Sequence, residues 1–364
     1  MTEYSATADC FDVKTDELAI DNQIRTTRRA TCVLCGGSGE YVYRGLSDRL
    51  FSAGGDWSLK QCTNDGCGLI WLDPMPLAED IGKAYANYYT HTAQTASNGN
   101  SLLRRTYQRM KRGYLAGKYG YTQGSPESPA PLLGKLLYLF PLRRFAADAS
   151  VRFLPAKPRG RLLDVGCGAG EWITVMRDFG WEVEGLDFDE NAARVGRANG
   201  LKVHCGALEE QDFPSDSFDA VTLNHVIEHV PDPISTLTEC ARVLKKGGKL
   251  VLATPNNASL SHRVFKRDWR GLEPPRHLHI FSPSSMRRLL AMAGLKQIAI
   301  RPSIASSVVY ESVQLRRGRT GAAATSEGNR PVHILAHAFN LAELCLVKWK
   351  PAAADCMIAM ATKP

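Results

Sequence analysis

Four groups of residues in this chain are typed and spaced for chemistry. The first is Asp164-Val-Gly166-Cys-Gly168-Ala-Gly170, entered by the apolar run RLLDVG. Glycines at such a turn let the backbone approach a ligand closely, and a following helix offers unpaired N–H groups to a negative group. A dinucleotide-binding turn reads G-x-G-x-x-G, and its last glycine would fall where this chain has Glu171. The G-x-G-x-G spacing, with an acid two residues ahead of it, suits a ligand with an amino acid head. Asp164 is expected to attract the ammonium and the turn amides to meet the carboxylate. Seventeen residues after Gly170 a second apolar run ends in Asp187-Phe188. A carboxylate there accepts both hydroxyls of a ribose, and Phe188 can cover an adenine.

The second group is Cys32, Cys35, Cys62 and Cys67, two close pairs among ten cysteines. In a reducing compartment such pairs point to metal rather than oxidation. Four thiolates make a closed tetrahedral set with no open position, the pattern of a structural zinc. The plain alternative is four free thiols. A redox role lacks the thioredoxin-like unit that should follow.

The third group is His225-Val-Ile-Glu228-His229, which spells the H-x-x-E-H of some zinc proteases. In a protease it lies mid-helix with a further ligand downstream, whereas Pro231 and Pro233 cut this helix short. The fourth is the stretch TPNNASLSHRVFKRDWRGLEPPRHLHIFSPSS, which is too long for a plain connection and carries His277 and His279 in a rigid Pro-Pro-Arg-His-Leu-His cluster. Loops that leave the C-terminal ends of parallel strands are where such folds bind ligands.

Positioning these groups requires ordered strands. RLLDVG (161–166), WEVEGLDF (181–188), LKVHCG (201–206), FDAVTLN (218–224) and KLVLATP (249–255) alternate with amphipathic helices, including PISTLTECARVLKKGG. That alternation predicts a parallel sheet covered on both faces, closed by LKQIAIRP (295–302) and CMIAMATKP (356–364). EYVYRGL, DWSLKQC and GLIWL read as short strands around the cysteine pairs.

The expected organisation is a mobile tail at 1–30, a zinc-binding module at 31–75, a helical basic lid or linker at 76–150, and an α/β Rossmann-like domain at 151–364. Within that domain 255–285 is an inserted substrate loop. A Ser/Pro/Gly linker, GSPESPAP (124–131), divides the helical region.

Net charge is +8, but residues 101–161 hold 13 Lys and Arg against Glu127 and Asp148, so that stretch alone is +11. It reads either as a lid with inward leucines or as a surface meeting anionic lipid or a lipid-linked phosphate. No run approaches the ~20 apolar residues of a membrane span, and the polar, acidic N-terminus is unlike a signal peptide. A cytoplasmic location is expected, with peripheral membrane contact through 101–161.

Together CVLCGGSG, QCTNDGCGLIWLDPMP, LLDVGCGAGEW, EGLDFDE, FDAVTLNHVIEHVPDP, RVLKKGGKLVLATPN and PRHLHIFSPSSM resemble class I S-adenosylmethionine (SAM)-dependent methyltransferases with an N-terminal zinc-binding segment, found in bacterial sugar and polysaccharide pathways. The resemblance covers roughly residues 30–300. It implies a seven-stranded sheet, SAM as cofactor and a structural zinc. It also implies that Ala207 and Leu208 flank the adenine, and that Asn224 and His225 line the cofactor and acceptor pocket. One departure is the four residues, TNDG, between Cys62 and Cys67, where the family has two.

Methyl transfer then needs an acceptor held in line, water excluded, and a base for a hydroxyl proton. His277, His279 and His225 are the candidates. The acceptor expected is a small-molecule or lipid-linked sugar hydroxyl. C-methylation of a nucleotide deoxysugar is the nearest alternative, although such enzymes usually carry a further C-terminal domain. RNA methylation with the zinc ribbon and basic face as a clamp is the other, and NHVIEHV is not the Asn/Asp-Pro-Pro-Tyr/Phe motif of base-amine methylation.

Overall fold

Apolar runs alternate with amphipathic helices from residue 160 onward, and in a computed structural model of the chain these runs form one seven-stranded sheet. The structure describes residues 24–86, 102–122, 131–157, 160–304, 306–321 and 330–364. Most of the expected tail and of the linker 124–131 lies outside these residues.

In chain order the strands begin with β1 (Thr26–Thr27), β2 (Gly39–Leu46), β3 (Trp57–Cys62), β4 (Ile70–Leu72) and β5 (Met75–Pro76). A 3-10 helix, Ala78–Tyr85, and helices α1 (Leu102–Tyr119), α2 (Pro131–Gly134) and α3 (Pro141–Ser150) follow. The alternating part runs β6 (Arg161–Val165), α4 (Glu171–Asp178), β7 (Glu182–Asp187), α5 (Glu190–Ala198), β8 (Lys202–Cys205), β9 (Phe218–Asn224), α6 (Pro233–Val243) and β10 (Leu244–Pro255). Then come α7 (Leu260–Phe265), β11 (His279–Ile280), α8 (Pro283–Met292), β12 (Lys296–Ser303), α9 (Ser306–Arg316), α10 (Arg330–Val347) and β13 (Cys356–Thr362).

The large sheet has the order β12-β13-β10-β9-β6-β7-β8, with β13 antiparallel to both neighbours and the β10-to-β8 side parallel. Strand order reverses between β6 and β9, which opens a crevice at their C-terminal ends. Both the glycine turn and Asn224-His225 leave the sheet there. One face is covered by α6 and α8 and is continuous with Cys32, Leu34, Cys62, Cys67 and Trp71. The other is covered by α4 and α5 together with Tyr114, Leu115, Leu137, Ala147 and Val151 of the basic region. That region therefore packs Leu115 and Leu137 inward.

Two departures from the sequence reading have simple causes. The helix expected through PISTLTECARVLKKGG stops at Val243, because Leu244 pairs with Phe218 and Gly247 takes φ +74 to let the chain bulge before the strand resumes at Lys249. The stretch 255–285, expected as a loop, contains α7 and β11. His279 and Ile280 pair with Trp71 and Ile70, so β11 closes the exposed edge of the small sheet β11-β4-β3-β2. The inserted segment and the cysteine-bearing strands thus share one sheet.

A buried cation ties these parts together. The side chain of Arg276 is 0% exposed; its guanidinium donates to both oxygens of Asp48 at 2.9 Å, to Glu273 Oε1 at 2.9 Å and to the Ala84 carbonyl at 2.9 Å, and it lies over the Phe51 ring. Removing one partner of such a pair leaves uncompensated buried charge, which costs about 3–5 kcal/mol. Arg276→Met is therefore expected to lower unfolding free energy by that amount in a denaturant titration, leaving Asp48 and Glu273 buried without their cation. A loss under about 1 kcal/mol would show that the carboxylates rehydrate freely and that the tie is not structural.

Candidate active site at the strand ends

Gly166, Gly168 and Gly170 all take positive φ (72°, 56° and 85°), a conformation open to glycine and costly to other residues. Their surroundings differ. A Cβ on Gly166 would lie 2.3 Å from Val226 Cγ2, and one on Gly170 would lie 2.3 Å from Leu201 Cδ1. A Cβ on Gly168 would meet nothing within 4 Å. The outer two glycines are closely packed, and the space beside the middle one is open.

Asp187 sits beside that opening. One oxygen accepts the Gly168 N–H at 2.7 Å and the other the Asp189 N–H at 3.0 Å. A carboxylate oxygen takes two donors, so each keeps a site for a hydroxyl. Phe188 is 58% exposed, with the Tyr85 ring edge-on at 5.9 Å. Ala207 is exposed at the end of the third parallel strand. The Leu208 side chain, expected beside an adenine, instead packs into the core at 2% exposure.

Asp164 is 1% exposed and is placed differently from its expected role. Its Oδ1 accepts from Arg152 and, at 2.8 Å, from the Thr222 hydroxyl, so its charge is already met by a cation that the sequence reading did not include. Arg152 in turn stacks on Trp172 with its guanidinium carbon 3.6 Å from the ring centre. Asp164 Oδ2 is buried with no donor among the described residues. A buried acceptor in that state calls for a ligand N–H or a water.

On the other side of the crevice Asn224 is exposed, and His225 takes φ +55 where the chain leaves β9. Nδ1 of His225 lies 3.1 Å from Glu228 Oε1, and the other Glu228 oxygen accepts the Thr254 hydroxyl at 3.0 Å. The Glu228 side chain is 0% exposed. Burial would raise its pKa, but His225 and the nearby His229 and His277 hold it down at about 2. An ionised carboxylate only accepts, so His225 Nδ1–H donates and the lone pair belongs to Nε2. The His225 side chain is 44% exposed where the chain leaves β9. Desolvation lowers the ring's pKa, but the hydrogen bond and charge of Glu228 outweigh it, and the net shift is upward.

The remaining histidines are placed differently from the sequence expectation. His277 is 4% exposed, donates Nδ1–H to the Gly271 carbonyl at 2.8 Å, and is driven down to about 4 by burial. Its Nε2 faces Glu273 at 3.3 Å, behind the ring of His229. His279 is 2% exposed on β11, with Nδ1 buried and without a partner among the described residues. Neither presents a nitrogen to an acceptor, so both are corrected to structural positions. His229 points Nδ1 at the Arg276 carbonyl (3.0 Å) and the Tyr85 hydroxyl (2.8 Å). Ligand atoms of Glu228, His229 and His277 lie within 4.8 Å of one another, but His225, first residue of H-x-x-E-H, is outside that group and bonds Glu228 instead. The protease geometry is not formed.

The four paired cysteines do converge. Their sulfurs all lie within 4.8 Å, with Cys32–Cys67 at 3.7 Å and Cys35–Cys62 at 3.4 Å. A tetrahedral zinc with ~2.3 Å Zn–S bonds sets S···S edges of about 3.8 Å, so this donor set fits one. The four-residue spacer is absorbed by a turn in which the Cys67 N–H meets the Asn64 carbonyl at 3.1 Å and Gly66 takes φ +76. The Asn64 amide reaches Cys35 Sγ at 3.2 Å. Burial opposes ionisation of Cys35, yet the Gly37 N–H and its neighbours Cys62, Cys32 and Asn64 bring it to about 7.

Residues 139–300 match a family model described as a methyltransferase domain. A ubiquinone biosynthesis O-methyltransferase of Idiomarina loihiensis is 33% identical over 38% of this chain and 63% of its own length. The enzyme of the same name from Xanthomonas oryzae is 34% identical over 42% of this chain and 66% of its own. The chain therefore spans just under two thirds of these relatives. It is also similar to a solved SAM-dependent methyltransferase of Mesorhizobium loti, at 19% identity, 59% coverage of this chain, 96% of that one and a TM-score of 0.42.

The His225–Glu228 pair makes a spectroscopic claim. In the folded protein the His225 ring is expected to titrate above its ordinary value of 6.5. In Glu228→Gln the raising partner is gone and desolvation remains, so the ring is expected to titrate below 6.5. Histidine ring NMR across pH 5–9, a span of roughly two units either side of neutrality, reads both values. Identical titration in the two proteins would break the pair.

Proposed function

We propose that this chain is a SAM-dependent O-methyltransferase in which His225 is the general base. The observation that carries the reading is the half-open His225 ring, polarised by a fully buried carboxylate, across the crevice from the glycine turn. The relatives named for ubiquinone biosynthesis support a hydroxyl acceptor over carbon or a base amine. They also draw the acceptor away from the sugar class and towards other small hydroxylated molecules, free or lipid-linked.

The turn 166–170, Asp187 and Phe188 would hold SAM, and the unpartnered Asp164 Oδ2, with Arg152 beside it, would serve its amino acid end. When bound, SAM supplies a methyl group already activated on its sulfonium. His225 Nε2 accepts the acceptor's hydroxyl proton as the oxygen attacks, and Glu228 stabilises the imidazolium that results. The Thr254 hydroxyl fixes the direction of Glu228, and His225, with His229 and His277 nearby, keeps it ionised against its burial. Because His225 must be unprotonated to act and its pKa is raised, kcat/KM is expected to climb with an acid limb above 6.5.

His225→Ala is expected to lower turnover by ~10²–10⁴-fold, the usual worth of a general base, while leaving affinity for S-adenosylhomocysteine unchanged. Gly168→Val does the opposite first: it forces a side chain into positive φ and fills the open space, so calorimetry with S-adenosylhomocysteine should show binding lost. A labelled-methyl screen over hydroxylated aromatics and nucleotide sugars supplies the acceptor. Near-normal turnover by His225→Ala on that acceptor moves the base elsewhere.

Cys32, Cys35, Cys62 and Cys67 are proposed to hold one structural zinc. Site assembly is coupled to folding, so Cys35→Ser should release the metal and lower the melting temperature. Metal analysis showing folded, zinc-free wild-type protein overturns this part alone.

A further inference from the structure

The segment that joins α1 to α3 is pressed onto α1 by Gly134, where a Cβ would lie 2.2 Å from the Tyr114 backbone nitrogen. Only glycine permits this approach, and it decides which side of the segment faces out. Leu137 goes inward at 0% exposure. Leu132, Leu136, Leu139 and Phe140, at i, i+4, i+7 and i+8, face out at 78%, 45%, 72% and 53%, with Tyr138 beside them at 52%. Five large apolar side chains within nine residues form a ridge that the chain's own packing holds open. Exposed apolar patches of this kind mark a site of association.

The charge around the ridge narrows the partner. Neither α1 nor residues 128–147 contains an Asp or Glu, whereas α1 carries Arg104, Arg105, Arg109, Lys111, Arg112 and Lys118, and the ridge itself is bordered by Lys135, Arg143 and Arg144. Arg143 and Arg144 lie over the rings of Tyr107 and Tyr138, at 4.9 Å and 5.4 Å from their centres. Within the basic stretch Lys118 pairs with Asp148, Lys157 with Asp219 and Arg161 with Glu184. Leucines on a protruding turn with an acid-free basic collar suit the interface of an anionic bilayer: the apolar tips enter the acyl boundary and the cations meet the headgroups. A nucleic acid would match the charge and leave the leucines unburied. No helix of the described residues is long and apolar enough to cross a membrane, so the contact is peripheral.

We propose that the ridge Leu132–Phe140 docks this protein on an anionic lipid surface, whatever the acceptor proves to be. The test is co-sedimentation of the full chain with phosphatidylcholine vesicles, with and without about 30 mol% phosphatidylglycerol, at low and high salt. The expected result is at least about tenfold stronger binding to the anionic vesicles, weakened by salt as screened headgroup contacts must be. Leu132→Ser/Leu139→Ser should cut that binding about tenfold without lowering the melting temperature, because both side chains are solvent-facing. Arg143→Gln/Arg144→Gln should abolish the preference for anionic vesicles. Failure of the wild-type protein to bind anionic vesicles overturns the proposal. So does a fall in melting temperature in the leucine variant, which would mean that the ridge is packed by the chain itself. Loss of a dimer in that variant with unchanged vesicle binding would assign the ridge to a second copy.

Discussion

Arg276 is the constraint on which the acceptor side depends. Its guanidinium holds Asp48 from the turn after β2, Glu273 from the inserted segment and the Ala84 carbonyl from the 3-10 helix 78–85. The 3-10 helix lies outside the small sheet that joins the other two pieces, yet each of the three carries something the site uses. Ala84 precedes Tyr85, which touches both Phe188 and His229. The backbone carbonyl of Arg276 itself orients His229. The next residues of the insert, Leu278 and His279, give their N–H groups to the Glu228 carbonyl at 2.8 and 3.1 Å. One buried cation thus sets how the cysteine-bearing part, the insert and the strand-end loop after β9 meet.

The seven-stranded sheet supplies the other wall by topology. Reversal of strand order between β6 and β9 puts the glycine turn and Asn224-His225 on opposite sides of one crevice. Between them Asp164 and Thr222, paired across these two strands, share Oδ1–hydroxyl contact and the Arg152 cation. The polar layer under the cofactor side is therefore built from three elements. It fixes the floor on which the open Gly168 position rests.

Local pattern made the sheet legible. Strands such as LLDV and FDAVTLN are buried on both faces and read as continuous apolar runs, and glycine spacing alone separated this turn from a dinucleotide fold. The four cysteines were legible for the same reason, since metal-ligand pairs are close in sequence. What the sequence did not disclose are partners chosen by tertiary contact. Arg152 lay within a stretch that reads as basic surface, and nothing local ties it to Asp164. Arg276 and Asp48 are 228 residues apart. Among the histidines, the Pro-Pro-Arg-His-Leu-His cluster looked rigid and reactive, but its rigidity comes from β11 pairing with β4 and from burial. Glu228 was visible only as part of a protease motif, and its real work is to aim the first histidine of that motif.

The difference between His225 and the other two histidines follows from how each buried environment is neutralised. Desolvation disfavours imidazolium at all three positions. His277 also faces a carboxylate, Glu273, which it shares with Arg270 and Arg276; that charge raises the ring, but burial outweighs it. His279 has no carboxylate contact that offsets its burial. The oxygens of Glu228 are met by Thr254 and His225, and the His225 ring is the first of the groups that hold it ionised, ahead of His229 and His277. A buried carboxylate is costly unless its neighbours compensate it, and here the principal compensating group is the same imidazole that opens onto the crevice. The fold therefore maintains one histidine whose basicity is raised and whose second nitrogen is accessible, and it keeps the others neutral and closed.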